Sequence, residues 1–289
     1  MQKNTSDVSV IVANYNNGKY LDDFITSIGR STVLPKELII IDDGSTDNSR
    51  SVLKKYSSVK YLTVLLFPEN QGFCNALNKG IETATCKYIM RVDPDDIVMP
   101  NRIKNQIDFL EEHPDIDVVG SNVIYFQSKT KKEVFTSNFP LNNEEIYKKY
   151  YSGEHGLQHP SVMIRADVMK KYKYDQNNFK AEDYEIFARI INDGHKFANL
   201  SWPQTKMRVH NKSVSSNIRY SVIERTFDIR DEIFKTKTKG LRKRFYYWYI
   251  LNYKKFLISR SWIMKVLYLI LAVIAHPIKF INRIVSHYR

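Results

Sequence analysis

Acidic residues are absent from the end of this chain. Every Asp and Glu of the 289 residues lies at or before Glu232, whereas residues 233–289 carry 13 of the 44 Lys and Arg residues. The preceding part holds 31 basic residues against 31 acidic ones, so the tail carries the whole net charge of +13. A uniformly basic protein would indicate nucleic acid, but a neutral body with a basic, apolar tail indicates an anionic membrane surface. We therefore expect no nucleic-acid partner.

Cysteines and long hydrophobic runs are also scarce. Cys74 and Cys86 are the only cysteines, and neither belongs to a CxxC pair, which excludes a disulfide framework and indicates a reducing compartment. Residues 1–9 do not have the pattern of a secretory signal. The apolar run Val266–Ala275 has ten residues, whereas a membrane span needs about 20. We expect a cytoplasmic protein attached peripherally to the inner face of the membrane; helical packing on the body or an oligomer interface is the alternative.

Apolar runs alternate with helical spacings in the first part of the chain. Runs rich in Val, Ile and Leu predict four strands, and apolar residues three or four positions apart predict a helix after each of the first three. The predicted strands are residues 8–13, 38–41, 62–67 and 88–92, with a break at Pro35 before the second. This alternation predicts an α/β fold with a parallel, doubly wound sheet.

The order changes after the fourth strand. The predicted elements are a helix from near residue 101, a hairpin of residues 118–126 and 134–135, a strand at 161–164, a helix at 183–192 and a strand at 207–209. From about residue 216 the pattern is mostly helical. We expect a catalytic domain of residues 1–215 and a helical extension of residues 216–289.

Three carboxylates, Asp93, Asp95 and Asp96, follow the fourth predicted strand. Ligands of open α/β sheets bind at the carboxyl ends of the strands. Clustered carboxylates repel one another unless a cation neutralises them, and Mg²⁺-type ions combine one or two carboxylates with substrate phosphates. By themselves these residues are equally compatible with a metal–diphosphate site and with a solvated acidic loop.

Polar residues also end the first two predicted strands, at Asn14-Tyr15-Asn16 and at Asp42-Asp43-Gly44-Ser45. Adjacent parallel strands would bring both segments and the acid cluster to one edge of the sheet, the edge formed by the carboxyl ends of the strands, which we call the rim. An aromatic face with an acidic acceptor suits a nucleobase, and a carboxylate cluster with a metal suits its diphosphate. The second segment alone is more typical of a turn, but the three strand ends together predict a nucleotide pocket.

The order and spacing of these motifs resemble the inverting family 2 glycosyltransferases of bacteria. The matching segments are Val10–Asn16, Ile41–Asp47, Asn70-Gln71-Gly72, Asp93–Asp96, His159-Pro160-Ser161, Glu182-Asp183 and Met207–His210. The resemblance is strongest over residues 7–110 and does not cover the tail. It implies the A-type glycosyltransferase fold, which has a Rossmann-like, mostly parallel sheet flanked by helices, followed here by a helical, basic and apolar C-terminal extension.

The resemblance also implies roles for individual residues. Asp183 would be the general base that deprotonates the acceptor hydroxyl, because an inverting transfer needs one base opposite the leaving diphosphate. The implied nucleotide-sugar contacts are Ala13, Tyr15, Asp43, Asn70, Gly72, Asp93 and Asp95. The implied ligands of a divalent metal, Mn or Mg, are Asp95, Asp96 and His210, and the implied acceptor-side residues are Glu182 and His159. Without the resemblance, Glu182-Asp183 would be interpreted as first-turn acids that the helix dipole favours.

The sequence therefore predicts a metal-dependent hexosyl- or N-acetylhexosaminyltransferase that takes its sugar from a nucleotide-diphospho-sugar, expected to be a UDP-sugar. The acceptor is expected to be lipid-linked or a lipooligosaccharide, in the assembly of O-antigen, capsule or lipopolysaccharide. One alternative is a nucleotidyltransferase, which would need a basic, glycine-rich loop where Asn14–Tyr20 has only Gly18 and Lys19. The other is a non-catalytic protein that binds membrane or RNA through the tail. An oligomeric state is compatible with each of these functions.

Overall fold

The computed structural model describes residues 4–178, 180–209, 219–259, 261–277 and 279. The chain divides into two compact units, Met1–Ser213 and Val214–Arg289, which we call the body and the C-terminal unit.

The first half of the body is a parallel α/β arrangement. Its strands are β1 (Thr5–Asn14), β2 (Leu34–Asp42), β3 (Leu62–Leu66) and β4 (Tyr88–Arg91). They lie in the order β3-β2-β1-β4, and all three pairings are parallel. The connecting helices are α1 (Gly18–Gly29), α2 (Ser49–Lys55) and α3 (Phe73–Thr83). The predicted alternation is confirmed for this half of the sheet.

Burial explains why these segments form their elements. The last seven residues of β1 are all buried, as expected for a central strand covered on both faces. Helix α1 buries Leu21, Phe24 and Ile28, which share one face at helical spacing. The predicted break at Pro35 is wrong, because Pro35 lies inside β2 opposite Ser6. It is tolerated next to a register shift, where the ladder of hydrogen bonds is interrupted.

The second half of the body extends the same sheet with mixed directions. Its strands are β5 (Ile97–Val98), β6 (Val118–Gln127), β7 (Glu133–Thr136), β8 (Met163–Arg165) and β9 (Phe197–Val209). The order continues from β4 as β8-β6-β9-β5, and β7 forms the predicted hairpin with β6. Strand β9 runs parallel to β6, whereas β8 is antiparallel to both β4 and β6. The helices are α4 (Arg102–Glu112), α5 (Asn143–Tyr151), α6 (Ala166–Lys171) and α7 (Glu182–Asn192).

Several elements here differ from the sequence prediction. The strand predicted at residues 161–164 begins only at Met163, because His159–Ser161 forms a 3-10 turn. Strand β9 has 13 residues rather than the three predicted. Helix α5 was not predicted, since it buries only Ile146 and Tyr150 and owes its start to the Asn142 side chain, which accepts from the Glu145 N–H.

Buried Arg102 on α4 joins the carboxyl end of β4 to the rest of the sheet. Its guanidinium donates to the carbonyl oxygens of Arg91, Pro160 and Val162 and to the Thr205 hydroxyl, at 2.8–3.2 Å. Burial lowers the pKa of Arg102 to about 9. These bonds connect the end of β4 to the turn before β8 and to β9, and so they help to fix the rim on which the acid cluster lies.

The C-terminal unit consists of α8 (Tyr220–Ile233), α9 (Gly240–Ile258) and α10 (Trp262–Ala275). The predicted helical extension is therefore confirmed over the described residues. None of the helices within the described ranges is long and apolar enough to cross a membrane. Apolar side chains are exposed along α10, at Trp262, Ile263, Val266, Leu267, Ile270 and Ile274.

Candidate active site

The carboxyl ends of β1 and β2 are joined by side-chain hydrogen bonds. Asn14 lies opposite Asp42 in the register, and its amide Nδ2 donates to Asp42 Oδ2 at 2.8 Å. The same buried carboxylate accepts from the Ser45 N–H at 3.1 Å and from Arg50 Nε at 3.0 Å. All these partners belong to the protein itself, so we assign Asp42 the role of holding the strand ends together.

Asp43, the predicted nucleobase acceptor, holds the loop that precedes α3. Its carboxylate accepts from the backbone N–H of Gln71 at 2.7 Å and of Gly72 at 3.0 Å. Gly44 allows this approach, since its φ is +68° and a Cβ there would lie 2.4 Å from the Glu69 carbonyl carbon. The structure thus brings Asp43, Asn70 and Gly72 together.

The remaining predicted nucleobase contacts lie at the end of β1 and just after it. Ala13 is buried in the strand, whereas Tyr15, directly after the strand, is 45% exposed. A half-exposed ring offers a face against which a base can stack. The contact itself stays a prediction.

The acid cluster of Asp93, Asp95 and Asp96 lies at the end of β4. One ligand oxygen from each carboxylate lies within 4.8 Å of the others. Asp93 pairs with Arg91 Nη2 at 2.6 Å, and Asp96 Oδ1 accepts from the Arg208 N–H at 2.9 Å. Burial and the neighbouring carboxylates raise the pKa of Asp96 well above its usual range. The pKa of Asp93 is raised mainly by burial, against the opposing charge of Arg91.

The cluster fits a hard divalent cation. All its ligand atoms are carboxylate oxygens, the donor type that Mg²⁺ and Mn²⁺ take. Asp96 Oδ2 is buried and has no hydrogen-bond partner among the described residues. A cation would supply that partner and would remove the repulsion that raises these pKa values. The solvated-loop interpretation does not fit Asp96, which is almost fully buried.

The acid pair Glu182-Asp183 begins α7, as predicted. The Asp183 side chain is 30% exposed, and its Oδ2 lies 3.8 Å from His155 Nδ1. The Tyr184 N–H donates to Asp183 Oδ1 at 2.8 Å. The charge of Asp183 contributes to the raised pKa of Asp93, so the pair and the acid cluster are neighbours. Burial, followed by the charge of Asp183, raises the pKa of Glu182 to about 7.

His159 is buried in an aromatic environment. Its Nε2 lies 2.7 Å from the Tyr174 hydroxyl, and its ring meets the edges of Phe73 and Phe187. Burial, together with the charge of Arg91, holds the pKa of His159 well below its usual range. A neutral, enclosed imidazole shapes its surroundings rather than exchanging protons, and its acceptor-side role stays a prediction. His210 lies outside the described residues.

Two arginines at this site were missed by the sequence reasoning. Arg91 pairs with Asp93, and its guanidinium lies 5.4 Å from the centre of the Phe73 ring. Arg208 Nε donates to the Asp95 carbonyl oxygen at 2.7 Å, and its Nη2 donates to Asp23 at 2.8 Å. A charged residue inside a buried apolar strand requires a partner, so Arg91 could have been singled out in the Tyr88–Val92 run.

Comparisons with known proteins give the family and the fold. The Glycosyl transferase family 2 profile matches residues 9–173. The amylovoran biosynthesis glycosyltransferase AmsE of Erwinia amylovora is 30% identical over 73% of this chain and 79% of its own. An Escherichia coli UDP-Gal:alpha-D-GlcNAc-diphosphoundecaprenol beta-1,3-galactosyltransferase is 27% identical over 78% of this chain and 82% of its own.

Two solved structures share the fold at lower identity. S. aureus TarS 1-349 in complex with UDP-GlcNAc superposes with a TM-score of 0.63 at 21% identity, covering 94% of this chain and 82% of that one. The mannosyltransferase PcManGT from Pyrobaculum calidifontis, in complex with GDP-Man and Mn²⁺, gives a TM-score of 0.55 at 15% identity, covering 98% and 79%. The predicted A-type glycosyltransferase fold is confirmed.

Proposed function

Because the chain belongs to glycosyl transferase family 2, we propose that it transfers a hexose or N-acetylhexosamine from a UDP-sugar to an acceptor hydroxyl with inversion. The observation that carries this proposal is the acid cluster at the end of β4, which lies close enough to Asp183 for the charge of Asp183 to raise the pKa of Asp93. UDP-GlcNAc bound to a protein of the same fold, and UDP-Gal in the name of a relative, support the donor class.

The nucleotide would bind across the ends of β1 and β2. Asp43 would accept from the nucleobase while it keeps the loop of Asn70 and Gly72 in place. Tyr15, with the Ala13 backbone, would border the base. Each oxygen of the Asp43 carboxylate has two lone pairs, so the existing bonds leave acceptor capacity for a ligand.

The diphosphate would lie at the acid cluster. Asp95 and Asp96 would hold a divalent metal, and Asp93 would complete the set or contact the ribose. Such a cation, when bound, supplies positive charge that stabilises the leaving diphosphate. Arg208 would keep the loop of Asp95 and Asp96 in position through its bonds to both residues. Mn²⁺ bound to a protein of the same fold supports this assignment.

The transfer itself needs one base. The Asp183 carboxylate would take the proton of the acceptor hydroxyl while that oxygen attacks the anomeric carbon. The bond between this carbon and the diphosphate oxygen breaks on the opposite face, and UDP leaves with the bonding electrons. A single displacement inverts the configuration, and His159 would shape the acceptor side without exchanging a proton.

A donor panel followed by product analysis tests the function. We expect the protein to release UDP from one of UDP-glucose, UDP-galactose, UDP-GlcNAc and UDP-GalNAc when Mn²⁺ is present, and none of it with EDTA. With an accepted acceptor analogue, NMR of the new anomeric proton should show a β linkage from these α-linked donors. An α-linked product would contradict the single displacement, and nucleotidyl transfer would support the alternative class.

The acceptor is proposed to be membrane-bound, in the synthesis of a surface polysaccharide. The diphosphoundecaprenol acceptor in the name of a relative supports this proposal. So do the exposed side chains of α9, where Leu241, Phe245 and Trp248 lie near the exposed Arg242 and Arg244. Interfacial helices combine aromatic, apolar and basic groups in this way.

We therefore expect the protein to sediment with vesicles that contain phosphatidylglycerol. High salt should weaken this binding. Each basic residue near an anionic surface contributes about 1 kcal/mol, and salt screens the attraction. The informative variant reverses the charge of Arg242, Arg244 and Lys255, which are exposed on α9. Lys243 is left unchanged, because it is buried and pairs with Asp228.

The matched control reverses three exposed lysines of the body, Lys60, Lys129 and Lys170. This control should sediment like the wild type, whereas the α9 variant should stay largely in the supernatant. Equal sedimentation of all three proteins would remove the electrostatic argument. Sedimentation of none would favour an oligomer or packing role for the C-terminal unit.

A further inference from the structure

A buried arginine and a buried glutamate leave hydrogen-bonding atoms unused beside the acid cluster. Arg91 is 4% exposed and Glu182 is 9% exposed. Arg91 Nε and Nη1 and Glu182 Oε2 have no hydrogen-bond partner in the part of the chain that the structure describes. Buried polar atoms of charged groups are normally satisfied, so unused ones on both a donor and an acceptor indicate a ligand.

Each of the two residues adjoins one part of the reaction centre proposed above. Arg91 is tied to the acid cluster through its 2.6 Å bond to Asp93, and Glu182 directly precedes the proposed base Asp183. Burial raises the pKa values of Asp93 and Glu182, whereas the positive charge of Arg91 lowers both of them. Because such an interaction weakens with distance, Arg91 is close to each carboxylate. The unused atoms therefore belong to residues that adjoin the cluster and the base.

We propose that Arg91 and Glu182 bind the sugar ring of the donor. The free N–H groups of Arg91 would donate to one ring hydroxyl, and Glu182 Oε2 would accept from another. An inverting transfer places the anomeric carbon between the leaving diphosphate and the base, so the ring that carries this carbon lies where the unused atoms are. The inference rests on the proposed function, and it moves Glu182 from the acceptor side, expected from the sequence, to the donor sugar.

The chemistry of the pair favours a neutral hydroxylated ligand. Arg91 already neutralises Asp93, and the carboxylates of Asp95, Asp96 and Asp183 would repel a second anion. A hydroxyl both donates and accepts, so neighbouring ring hydroxyls can satisfy a guanidinium and a carboxylate together. A site built to bond hydroxyl groups also discriminates strongly between sugars that differ in them.

The test compares the affinity for UDP with the affinity for the UDP-sugar that the wild-type protein hydrolyses, both by calorimetry with Mn²⁺. Glu182→Gln and Arg91→Lys should each raise the Kd of the UDP-sugar about tenfold or more relative to that of UDP, the fold-change of a lost bond to a charged group. Arg91→Lys retains a positive charge beside Asp93. Glu185→Gln is the matched control, since that glutamate is also buried on α7 but is paired with Arg189 at 3.1 Å.

The ratio of the two Kd values should stay at the wild-type value in Glu185→Gln. An unchanged ratio in both Glu182→Gln and Arg91→Lys would overturn the inference. An equal rise in the Kd values of UDP and of the UDP-sugar would overturn the inference too, because the substitutions would then act through the acid cluster. Failure of the wild type to bind UDP at all would instead contradict the proposed function, so the two failures are distinguishable.

Discussion

Replacing Asp183 with Asn should lower kcat by about 10²–10⁴-fold, the usual contribution of a positioned general base. Asn has the same shape and can still accept from the Tyr184 N–H through its amide oxygen, but it cannot take a proton. The donor is proposed to bind at the other side of the reaction centre, so the Kd of the UDP-sugar should stay near the wild-type value. Turnover at saturating donor, together with calorimetry of the donor, measures both quantities.

A matched control separates catalysis from helix stability. Asp183 lies in the first turn of α7, where loss of a negative charge costs up to about 1 kcal/mol of helix stability. Asp167→Asn makes the same change in the first turn of α6, at an exposed residue. This variant should keep wild-type turnover. If Asp183→Asn also turned over at a near wild-type rate, Asp183 would not be the base.

The rim of the body could be predicted from sequence because central parallel strands give an unmistakable pattern. The buried run of β1 ends at Asn14 and that of β2 ends at Asp42, and polar residues follow each. Once parallel pairing is assumed, these ends must meet, and the structure shows them bonded to one another. The same logic predicts the acid cluster at the end of β4, since three carboxylates directly follow that predicted strand, but a metal site could not be told from a solvated loop without the burial of Asp96.

The second half was harder to predict because its contacts are non-local and its strands are less apolar. Strand β9 includes Ser201, Gln204 and Lys206, so only its last residues had a recognisable strand pattern. Arg208 reaches Asp95 and Asp96 across more than 100 residues of sequence. No local periodicity encodes such a pairing, so the residue that holds the acid loop could only be found in three dimensions.

Arg91 and Arg208 also show why an acid cluster can be kept in a folded chain. One arginine neutralises Asp93, and the other bonds the Asp95 carbonyl oxygen and, through its own N–H, the Asp96 carboxylate. Neither bonds Asp96 Oδ2, which remains without a partner among the described residues. The repulsion is thus only partly relieved by the protein, which leaves free energy to be gained by binding a cation.

Asp95→Ala should therefore abolish the metal dependence of UDP binding without unfolding the protein. Removing one of three neighbouring carboxylates lowers the repulsion in the metal-free state, so the melting temperature without metal should not fall. Addition of Mn²⁺ and UDP should raise the melting temperature of the wild type, because ligands that bind only the native state stabilise it. The variant should show little of this gain, and calorimetry with Mn²⁺ or EDTA should give the same weak UDP binding.

Asp115→Ala is the control for removing a carboxylate elsewhere, since Asp115 is exposed and pairs with Lys196 at 3.1 Å. It should retain metal-dependent UDP binding and the Mn²⁺-induced rise in melting temperature. Asp95→Asn keeps the size of the side chain, so a loss shared with Asp95→Ala assigns the effect to the charge and not to a cavity. A site of three carboxylates cannot lose one of them without a large loss of affinity for a hard divalent ion. Metal-dependent UDP binding of wild-type strength in both Asp95 variants would therefore show that the cation is held elsewhere.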